Sequence, residues 1–546
     1  MVADIKDLKI DSMSFGLHAI ATDPDSGIKV FIENACPGDE LKAEIYDVQK
    51  DMAFANITEI ISASPLREED PRCKLHKICG SCQWQHIKYE EQLNFKRINL
   101  VDAFTLNKVK LASDDYEEEN YDDDYEKEST ENEARKQHQS ISVKGLTNPW
   151  HFRNKVIYPV ETVKSTGRLL AGYYKTKSND LINIKHCPIQ YSIFEELMEG
   201  IKELCSGEGI GTPLLRHVLL RSSYDENEVL VSFILRKKLF KARDRHAIKR
   251  IFDVILREFP EVKAATINYN DDSTNVILGE ETELIAGDRD YIVDKLKDIE
   301  VKISTSSFFQ INNEQFCNIL ESIKSFIEQS RSEHQGNAEI GVSPQGRVAK
   351  RTSSRLRRTN DRSVLQVHED HEDDENAEIG VSLHAQQDLK ESDTQGAVSR
   401  LKILDAYSGI GSISLSLAKA FPQHSFKSFE LNNAAVINAK DNIELNNLNN
   451  LEVELASAEE YFKEEQNLDF DIIILNPPRK GCSNKILENI SKSNAKWIIY
   501  LSCNPSTLAR DIKFLEGANF KLEEIKAFDM FPHTFHLETL ALLTKN

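Results

Sequence analysis

Apolar and polar residues alternate with different periods along this chain of 546 residues, and the periods divide it into segments. Residues 1 to about 65 alternate with period two between turn signals at 23–27 and 37–38, which predicts a small β-barrel. From residue 141 to about 301, short strands and helices alternate in an α+β pattern. Residues 400–546 alternate strand and helix more regularly, which predicts a doubly wound α/β domain.

Two polar stretches interrupt these segments. Asp114 to Glu133 holds twelve acids and one lysine, about half of the excess behind the net charge of −21, and predicts a disordered acidic insertion at 111–140. Residues 329–399 are rich in polar residues and carry one heptapeptide twice, which is too few copies for a solenoid. They predict a low-complexity insertion. Because the acids are concentrated, the net charge neither supports nor excludes an RNA partner.

Composition favours a globular protein: 40% of the residues are hydrophobic and 8% are aromatic. The chain has no apolar run of membrane-spanning length and no signal peptide pattern at its start. We therefore expect a cytoplasmic, reducing setting and no membrane partner. Nine cysteines, an odd number, then indicate metal ligands and nucleophiles rather than disulfides.

One cysteine stands where an apolar strand ends and a helix begins. Ile498 to Leu501 is typical of a buried strand, Asn504 is a good helix-capping residue, and Pro505 suits the first helical position. Cys503 therefore lies beside helix-end amides, whose partial positive charge favours a thiolate. This position suits a nucleophile, although most free cysteines simply pack in a core.

Strand ends in the last domain predict a pocket for S-adenosylmethionine. The first strand leads into a turn with Gly409 and Gly411, where the backbone can approach a ligand. A dinucleotide-binding loop is the rival, but Ser414 stands in place of its third glycine. Glu430 ends the next strand, where a carboxylate can accept hydrogen bonds from ribose hydroxyls. The loop from Asn476 to Pro478 is expected to cover the sulfonium and methyl end. A different α/β ligand domain remains the alternative.

A cluster of cysteines in the first third of the chain predicts a metal centre. Cys73, Cys79 and Cys82 are closely spaced, and Cys187 is a distant fourth candidate. Three close thiolates and one distant thiolate can hold either zinc or an iron–sulfur cluster. Spacing alone slightly favours zinc, and unligated structural cysteines are the further alternative.

Taken together, these motifs resemble the RNA uracil-5-methyltransferases of the iron–sulfur type. The barrel is similar to a TRAM domain, an RNA-binding module, and residues 152–155 and 185–190 are also similar to the family. The resemblance implies an α/β protein with a TRAM- or OB-like barrel, a central α+β domain bearing the cluster, and a Rossmann-like methyltransferase domain. The implied ranges are 1–65 for the barrel, 66–110 and 141–300 for the central domain, and 301–328 and 400–546 for the methyltransferase domain.

The resemblance also implies roles for particular residues. It shifts the expected metal from zinc to a [4Fe–4S] cluster on Cys73, Cys79, Cys82 and Cys187. Gln310, Tyr407, Ser412, Glu430 and Asn476 fall on cofactor positions. Cys503 is implied as the nucleophile that adds to carbon 6 of uracil, and Glu538 as the base that then removes the proton from carbon 5. The family usually has aspartate at position 476 and often asparagine at position 412.

The implied activity is SAM-dependent methylation of carbon 5 of a uridine in structured RNA by a monomer. Large-subunit (23S) ribosomal RNA is the expected substrate, and the T-loop of transfer RNA is the alternative. Two other classes stay open: a nitrogen methyltransferase, since Asn476 begins an Asn-Pro-Pro loop, and a non-catalytic RNA-binding protein. A basic segment at Lys74, Lys77, Lys88, Lys96 and Arg97 either contacts RNA phosphates or is an ordinary solvated helix face.

Overall fold

The computed structural model describes residues 4–111, 141–272, 274, 276–339, 400–463 and 468–546. All but the first residue of the acidic insertion expected at 111–140, and most of the low-complexity insertion expected at 329–399, lie outside the described residues. The described residues up to Ser330 and from Arg400 onward form one compact unit. Within the described ranges, no helix is both long enough and apolar enough to cross a membrane.

A barrel of five strands begins the chain. Its strands are β1 (Ile5–Met13), β2 (His18–Thr22), β3 (Lys29–Glu33), β4 (Glu40–Gln49) and β5 (Met52–Ser62). They close in the order β1-β2-β3-β5-β4. Alternate residues point inward, and many of them are small, such as Ala19, Ala21 and Ala53. Small side chains suit the narrow interior of a barrel with so few strands. The predicted N-terminal barrel is confirmed.

The middle of the chain forms a second sheet with two covering helices. Its strands are β7 (Lys155–Thr162), β8 (Leu169–Tyr174), β9 (Leu181–Asn183), β10 (Leu215–Ser222), β11 (Val229–Leu235), β12 (Val262–Tyr269) and β13 (Glu281–Gly287). They lie in the order β13-β12-β11-β10-β7-β8-β9. The helices α2 (Ile193–Glu208) and α3 (Ala242–Glu258) pack their apolar faces on this sheet. A hairpin of β14 (Tyr291–Leu296) and β15 (Ile299–Ser304) follows, as the α+β pattern predicts.

The last domain is built on an eight-stranded sheet. Its strands are β6 (Val143–Lys144), β16 (Lys402–Ala406), β17 (Ser425–Glu430), β18 (Leu451–Leu455), β19 (Ile472–Leu475), β20 (Trp497–Ser502), β21 (Phe520–Phe528) and β22 (Glu538–Lys545). They lie in the order β18-β17-β16-β19-β20-β22-β21-β6, with β16 to β20 parallel. From β16, the next two strands in the chain, β17 and β18, lie on one side, and β19 and β20 lie on the other. In sheets of this kind, ligands bind at the carboxyl ends of the strands beside the point where the order changes direction. The predicted doubly wound α/β domain is confirmed.

Helices on both faces bury the central strands of this sheet. They are α4 (Asn313–Glu339), α5 (Ser412–Ala420), α6 (Asn433–Leu445), α7 (Ala458–Tyr461), α8 (Asn484–Ser491) and α9 (Pro505–Glu516). In β19, Ile472 and Ile474 belong to one apolar core, whereas Ile473 and Leu475 belong to the core on the opposite face. Burying each such side chain contributes about 1.5–3 kcal/mol. A strand that is covered on both faces reads as the continuous apolar run seen in the sequence.

Helix α1 (Tyr89–Leu106) packs against the last domain. Its Leu100 and Phe104 share a core with Ile512 and Leu515 of α9. Lys96 lies on the same helix with a fully buried side chain that pairs with a buried aspartate. Both interpretations of Lys96, a contact to RNA phosphates and a solvated helix face, are therefore wrong, because the paired side chain is buried away from solvent.

Helix α6 is attached to the hairpin by an asparagine ladder, formed by Asn438, Asn442 and Asn446. Spacing by four residues puts all three on one helix face. The Oδ1 atoms of Asn442 and Asn446 accept hydrogen bonds from the backbone N–H groups of Lys302 (2.7 Å) and Glu300 (2.9 Å). Their Nδ2 groups donate to the carbonyls of the same two residues. The ladder therefore satisfies the open edge of β15 as a neighbouring strand would.

Candidate active site

A cavity of about 1260 Å³ opens at the carboxyl ends of the parallel strands. Small-molecule pockets usually measure about 300–1,000 Å³, so this cavity can hold more than one small ligand. The structure brings together all seven side chains that the sequence predicts for the cofactor and for catalysis. The predicted residues that line the cavity are Gln310, Tyr407, Ser412, Glu430, Asn476, Cys503 and Glu538.

The turn after β16 and the end of β17 form one wall. Tyr407 and Gly411 have positive φ angles of 64° and 81°, which fold the backbone tightly around the start of α5 at Ser412. The carboxylate of Glu430 accepts hydrogen bonds from the backbone N–H groups of Gly409 (3.0 Å) and Asn432 (2.9 Å). These bonds fix the orientation of the carboxylate and leave lone pairs free to accept further hydrogen bonds.

The opposite wall is the loop from Asn476 to Cys482, which the start of α9 holds in place. Asn504 and Thr507 each donate a side-chain hydrogen bond of 3.2 Å to the carbonyl of Arg479. Asp511 accepts from the backbone N–H of Cys482 at 2.8 Å. Since α9 begins two residues after Cys503, one helix end fixes both the loop and the cysteine. Asn504 also accepts from Ser506 N as an N-cap, and this prediction is confirmed.

Strand register places Cys503 beside Glu538. In the antiparallel pair of β20 and β22, Ser502 is opposite Thr539, so the next residues inward are Cys503 and Glu538. Glu538 is 3% exposed, and Cys503 is half-buried. Two residues separated by 35 positions in the chain thus face one cavity because their strands are neighbours.

The local electrostatics couple these two groups through an arginine. Burial raises the pKa of Glu538 to about 8, and the Arg479 guanidinium opposes that rise. Burial and then the Glu538 carboxyl raise the pKa of the Cys503 thiol, whereas Arg479 lowers it through charge and a hydrogen bond. Burial therefore outweighs the helix-end charge that the sequence suggested. Sequence reasoning missed Arg479, although it directly follows the Asn-Pro-Pro loop.

The segment around Gln310 closes the cavity from the side. Asn154 Nδ2 donates to the carbonyl of Gln310 (2.9 Å) and to Asn313 Oδ1 (2.8 Å). The buried guanidinium of Arg221 donates to the carbonyl of Ser307 at 2.8 Å. Phe308, which follows, lines the cavity with 66% of its surface exposed. Phe308 was not predicted from the sequence. The feature that could have pointed to it is an aromatic residue two positions before Gln310, a predicted cofactor contact.

The four cysteines of the predicted metal centre lie in one region. Cys82 and Cys187 share a small apolar core against which Cys79 packs. Burial raises the pKa of the Cys82 and Cys187 thiols to about 12, and the neighbouring cysteines add to both shifts, Cys73 among them. Among the described residues, no three His, Cys, Asp or Glu side chains are arranged around a single metal ion.

Comparison with known proteins agrees with this geometry. A model of the family described as tRNA (Uracil-5-)-methyltransferase matches residues 392–546. A Bacillus cereus protein described as an uncharacterized RNA methyltransferase is 30% identical over 530 residues, which cover 95% of this chain and 92% of that one. A protein of the same description from Oceanobacillus iheyensis is 29% identical over 528 residues, with the same coverage.

A solved structure has the same overall fold. The Pyrococcus abyssi tRNA (uracil-54, C5)-methyltransferase, in complex with S-adenosyl-L-homocysteine, aligns with a TM-score of 0.63 at 22% identity. The alignment covers 98% of this chain and 99% of that one. The family match, together with the relative that is 30% identical over 95% of this chain, shows that the chain belongs to the RNA uracil-5-methyltransferase family, S-adenosylmethionine-dependent enzymes that methylate carbon 5 of uracil in RNA.

Proposed function

We propose that this enzyme methylates a uridine in folded RNA through a covalent bond between Cys503 and carbon 6 of the target uracil. The observation that carries the proposal is the register of β20 and β22, which puts a thiol and a buried carboxyl side by side. Both line a cavity whose other walls carry Glu430, Asn476 and Gln310. A nucleophile and a base that share one cavity are what addition and elimination at a uracil ring require.

Cys503 begins the reaction by attack on carbon 6. The new S–C6 bond pushes the electrons of the C5–C6 double bond toward the carbonyl oxygen at carbon 4, so carbon 5 becomes a nucleophile. S-adenosylmethionine, when bound, supplies an electrophilic methyl group for carbon 5. Glu538 then takes the proton from carbon 5, the C5–C6 double bond re-forms, and the C6–S bond breaks to release the thiolate.

Arg479 serves both steps in this proposal. Its charge lowers the pKa of Cys503 and opposes the rise in the pKa of Glu538. A cation beside the thiol favours the thiolate that attacks carbon 6. Near neutral pH the protonated Glu538 carboxyl does not repel that thiolate, and once it ionises, its high pKa makes it a stronger base than an ordinary carboxylate.

The cofactor residues fit a ligand with a ribose and a cationic centre. The oriented carboxylate of Glu430 suits two ribose hydroxyls, and Tyr407 and Ser412 border the same wall. Asn476 and Gln310 would hold the methyl-donating end. The remaining volume suits a uridine rotated out of its stack, and the exposed ring of Phe308 offers a face on which the flipped base can stack.

The cysteine region and the barrel support an RNA substrate of this class. Cys73, Cys79, Cys82 and Cys187 would hold a [4Fe–4S] cluster, whose chemistry here is to cross-link two distant chain segments. The N-terminal barrel would act as a TRAM-like RNA-binding module. These two features favour ribosomal RNA of the large subunit. The second candidate is transfer RNA, which the family description and the name of the Pyrococcus abyssi enzyme favour.

Two measurements test the proposal. Nucleoside mass spectrometry of separated ribosomal and transfer RNA, with and without the gene, is expected to show loss of 5-methyluridine from the ribosomal fraction. Loss from transfer RNA instead would select the second candidate. In vitro, Glu538→Gln is expected to accumulate a covalent protein–RNA adduct and Cys503→Ala none. Equal adduct in both variants would contradict the assigned roles.

A further inference from the structure

The chain that leads to Glu538 is a connection of nine residues between β21 and β22. We call residues 529–537 the catalytic connection. Its two ends are tied together, since Phe528 at the end of β21 pairs with Glu538 at the start of β22. Phe531, inside the connection, lines the cavity. The connection leads directly into the first residue of β22, which is Glu538, so its contacts can influence where the Glu538 side chain lies.

Helix α1 holds the start of the catalytic connection with a buried ion pair. Lys96 Nζ donates to Asp529 Oδ1 at 2.5 Å and to the carbonyl of Phe531 at 3.1 Å. The hydroxyl of Tyr89 donates to the other oxygen of Asp529 at 2.8 Å. The side chains of Lys96 and Asp529 are both fully buried. A buried charge pair has a defined geometry, because either charge is costly in any position that separates it from its partner.

The middle of the connection is held at His533, which has a positive φ of 64°. The backbone N–H of His533 donates to Gln92 Oε1 at 3.0 Å, and its carbonyl accepts from Trp84 N–H at 2.9 Å. Its ring stacks on Trp150 with the centroids 3.9 Å apart and bonds to the carbonyl of Pro149. Burial lowers the pKa of the His533 ring to about 3, so the ring is neutral in this contact.

These contacts come from the part of the chain that carries the cysteines. Trp84 is two residues after Cys82, and Trp150 packs against the core that contains Cys82 and Cys187. By contrast, Cys503 is fixed by β20 and α9, within the last domain. The nucleophile and the base thus share the β20–β22 strand pair, and the base has an additional support in the catalytic connection. The side chain of Asn312, two residues after Gln310, donates a hydrogen bond of 3.2 Å to the carbonyl of Met530. This bond connects the segment around Gln310 to the catalytic connection.

We propose that Lys96 is a positioning residue for proton removal: together with Asp529 it sets the place of Glu538, and it has no part in the attack of Cys503. This rests on the proposed function. In that scheme the S–C6 bond forms and the methyl group arrives without Glu538. Only the last step needs it, when the C5–H bond breaks, the C5–C6 double bond re-forms and the C6–S bond releases the thiolate. A displaced base therefore leaves the adduct formed but unresolved.

Two RNA probes separate the steps. The first is bulk RNA from cells that lack the gene. The second is the same RNA from cells grown with 5-fluorouracil, in which fluorine replaces the hydrogen at carbon 5. Because fluorine cannot leave as a cation, an enzyme with a working Cys503 and a bound methyl donor is trapped on the fluorinated RNA whether or not its base is in place. Adduct is measured on denaturing gels for both probes.

Lys96→Met is expected to accumulate adduct on ordinary RNA, as Glu538→Gln does, and to trap on fluorinated RNA as the parent does. A misplaced catalytic group costs about 10²-fold in turnover, and we expect a loss of that order. Tyr89→Phe removes one hydroxyl from the same site and is a milder variant that keeps the charge pair. It is expected to show the same pattern to a smaller extent.

Lys202→Met is the matched control, because Lys202 is also a buried lysine on a helix and pairs with Glu199 far from the catalytic connection. It is expected to accumulate no adduct on ordinary RNA. If Lys96→Met and Tyr89→Phe lose trapping on fluorinated RNA in proportion to turnover, the network is merely structural and the proposal is overturned. If Glu538→Gln itself forms no adduct while it still binds RNA, the proposed function fails, and the positioning role fails with it.

Discussion

The carboxyl edge of the last sheet and the contacts behind it are organised differently. At the edge, each side chain follows directly from a strand end: Tyr407 after β16, Glu430 at the end of β17, Asn476 after β19 and Cys503 after β20. Behind the edge, the support comes from residues far away in the chain, such as Lys96 and Asp529, which are 433 positions apart. The chemistry is therefore local to one topological feature, whereas its placement depends on the whole compact unit.

The edge is expected to tolerate chemical change least. Cys503→Ala removes the only protein atom that forms a covalent bond with the uracil in the proposed mechanism. We expect turnover to fall by at least about 10⁴-fold, as when a nucleophile is deleted from another enzyme, and the adduct to disappear. The check is incorporation of labelled methyl groups into RNA. Cys205→Ala, at a buried cysteine of α2 outside the cavity, is the control and is expected to keep its activity. If Cys503→Ala still methylates RNA, Cys503 is not the nucleophile, and the carboxyl edge does not carry the chemistry as proposed.

The same contrast explains how far the sequence alone could reach. The strand, cysteine and helix cap around Cys503 are adjacent in the chain, so their local signals agree and the structure has the predicted elements. The acid at Glu430 was also readable, because it ends a strand that the sequence predicts from Phe426 to Phe429. Local sequence pattern and sheet topology are sufficient to predict the position of a side chain that lies at the end of its own strand.

The supports were not readable for a physical reason. In the sequence, Lys96 of α1 resembles any basic residue on a helix face. Only the fold shows that it forms a buried ion pair with Asp529. In the sequence, the asparagine ladder is likewise only three polar residues at helical spacing. The structure shows that it forms hydrogen bonds with the backbone of β15. Arg479 and Phe308 gain their roles from what faces them across the cavity. Pairings across hundreds of residues leave no periodicity in the sequence.

A substitution in the support should damage the fold before the chemistry. Asn442→Leu leaves the N–H and carbonyl of Lys302 without the partners that they have now, at 2.7 and 3.3 Å. Each unsatisfied buried group costs about 1–3 kcal/mol, so we expect the free energy of unfolding to fall by about 2–4 kcal/mol. Denaturant unfolding measures this change. Asn433→Leu, at an exposed position of the same helix, is expected to change it by less than about 0.5 kcal/mol. Equal changes in the free energy of unfolding for the two variants would mean that the asparagine ladder does not stabilise the fold.

Arg479 belongs to the edge, and its effect should depend on pH. Both Cys503 and Glu538 act in their ionised forms, and Arg479 lowers the pKa of the first and opposes the rise to about 8 of the second. Arg479→Met therefore raises both pKa values, and a smaller fraction of each group is ionised at pH 7. We expect turnover to rise with pH through about 8 in the parent and at higher pH in the variant, with a deficit of about tenfold near neutrality.

The measurement for Arg479 is a pH profile of single-turnover rates. Lys480→Met, at the next residue, removes a cation that is not among the main causes of either pKa shift, and its profile is expected to match that of the parent. A deficit in Arg479→Met that stays constant at every pH would assign the arginine to RNA binding instead, since a lost phosphate contact does not depend on the ionisation of Cys503 or Glu538.

The smallest expected effect concerns Asn476, at the position where the family resemblance of the sequence implies an aspartate. Asn476→Asp adds a negative charge at the cavity wall that is proposed to face the sulfonium of S-adenosylmethionine. Attraction across a partly solvated site should tighten binding of S-adenosylmethionine by up to about tenfold. S-adenosylhomocysteine has the same shape with an uncharged sulfur, and its dissociation constant should stay the same, so the ratio of the two constants by calorimetry isolates the charge. If both ligands tighten equally, position 476 does not face the sulfur, and the loop serves the edge through its shape alone.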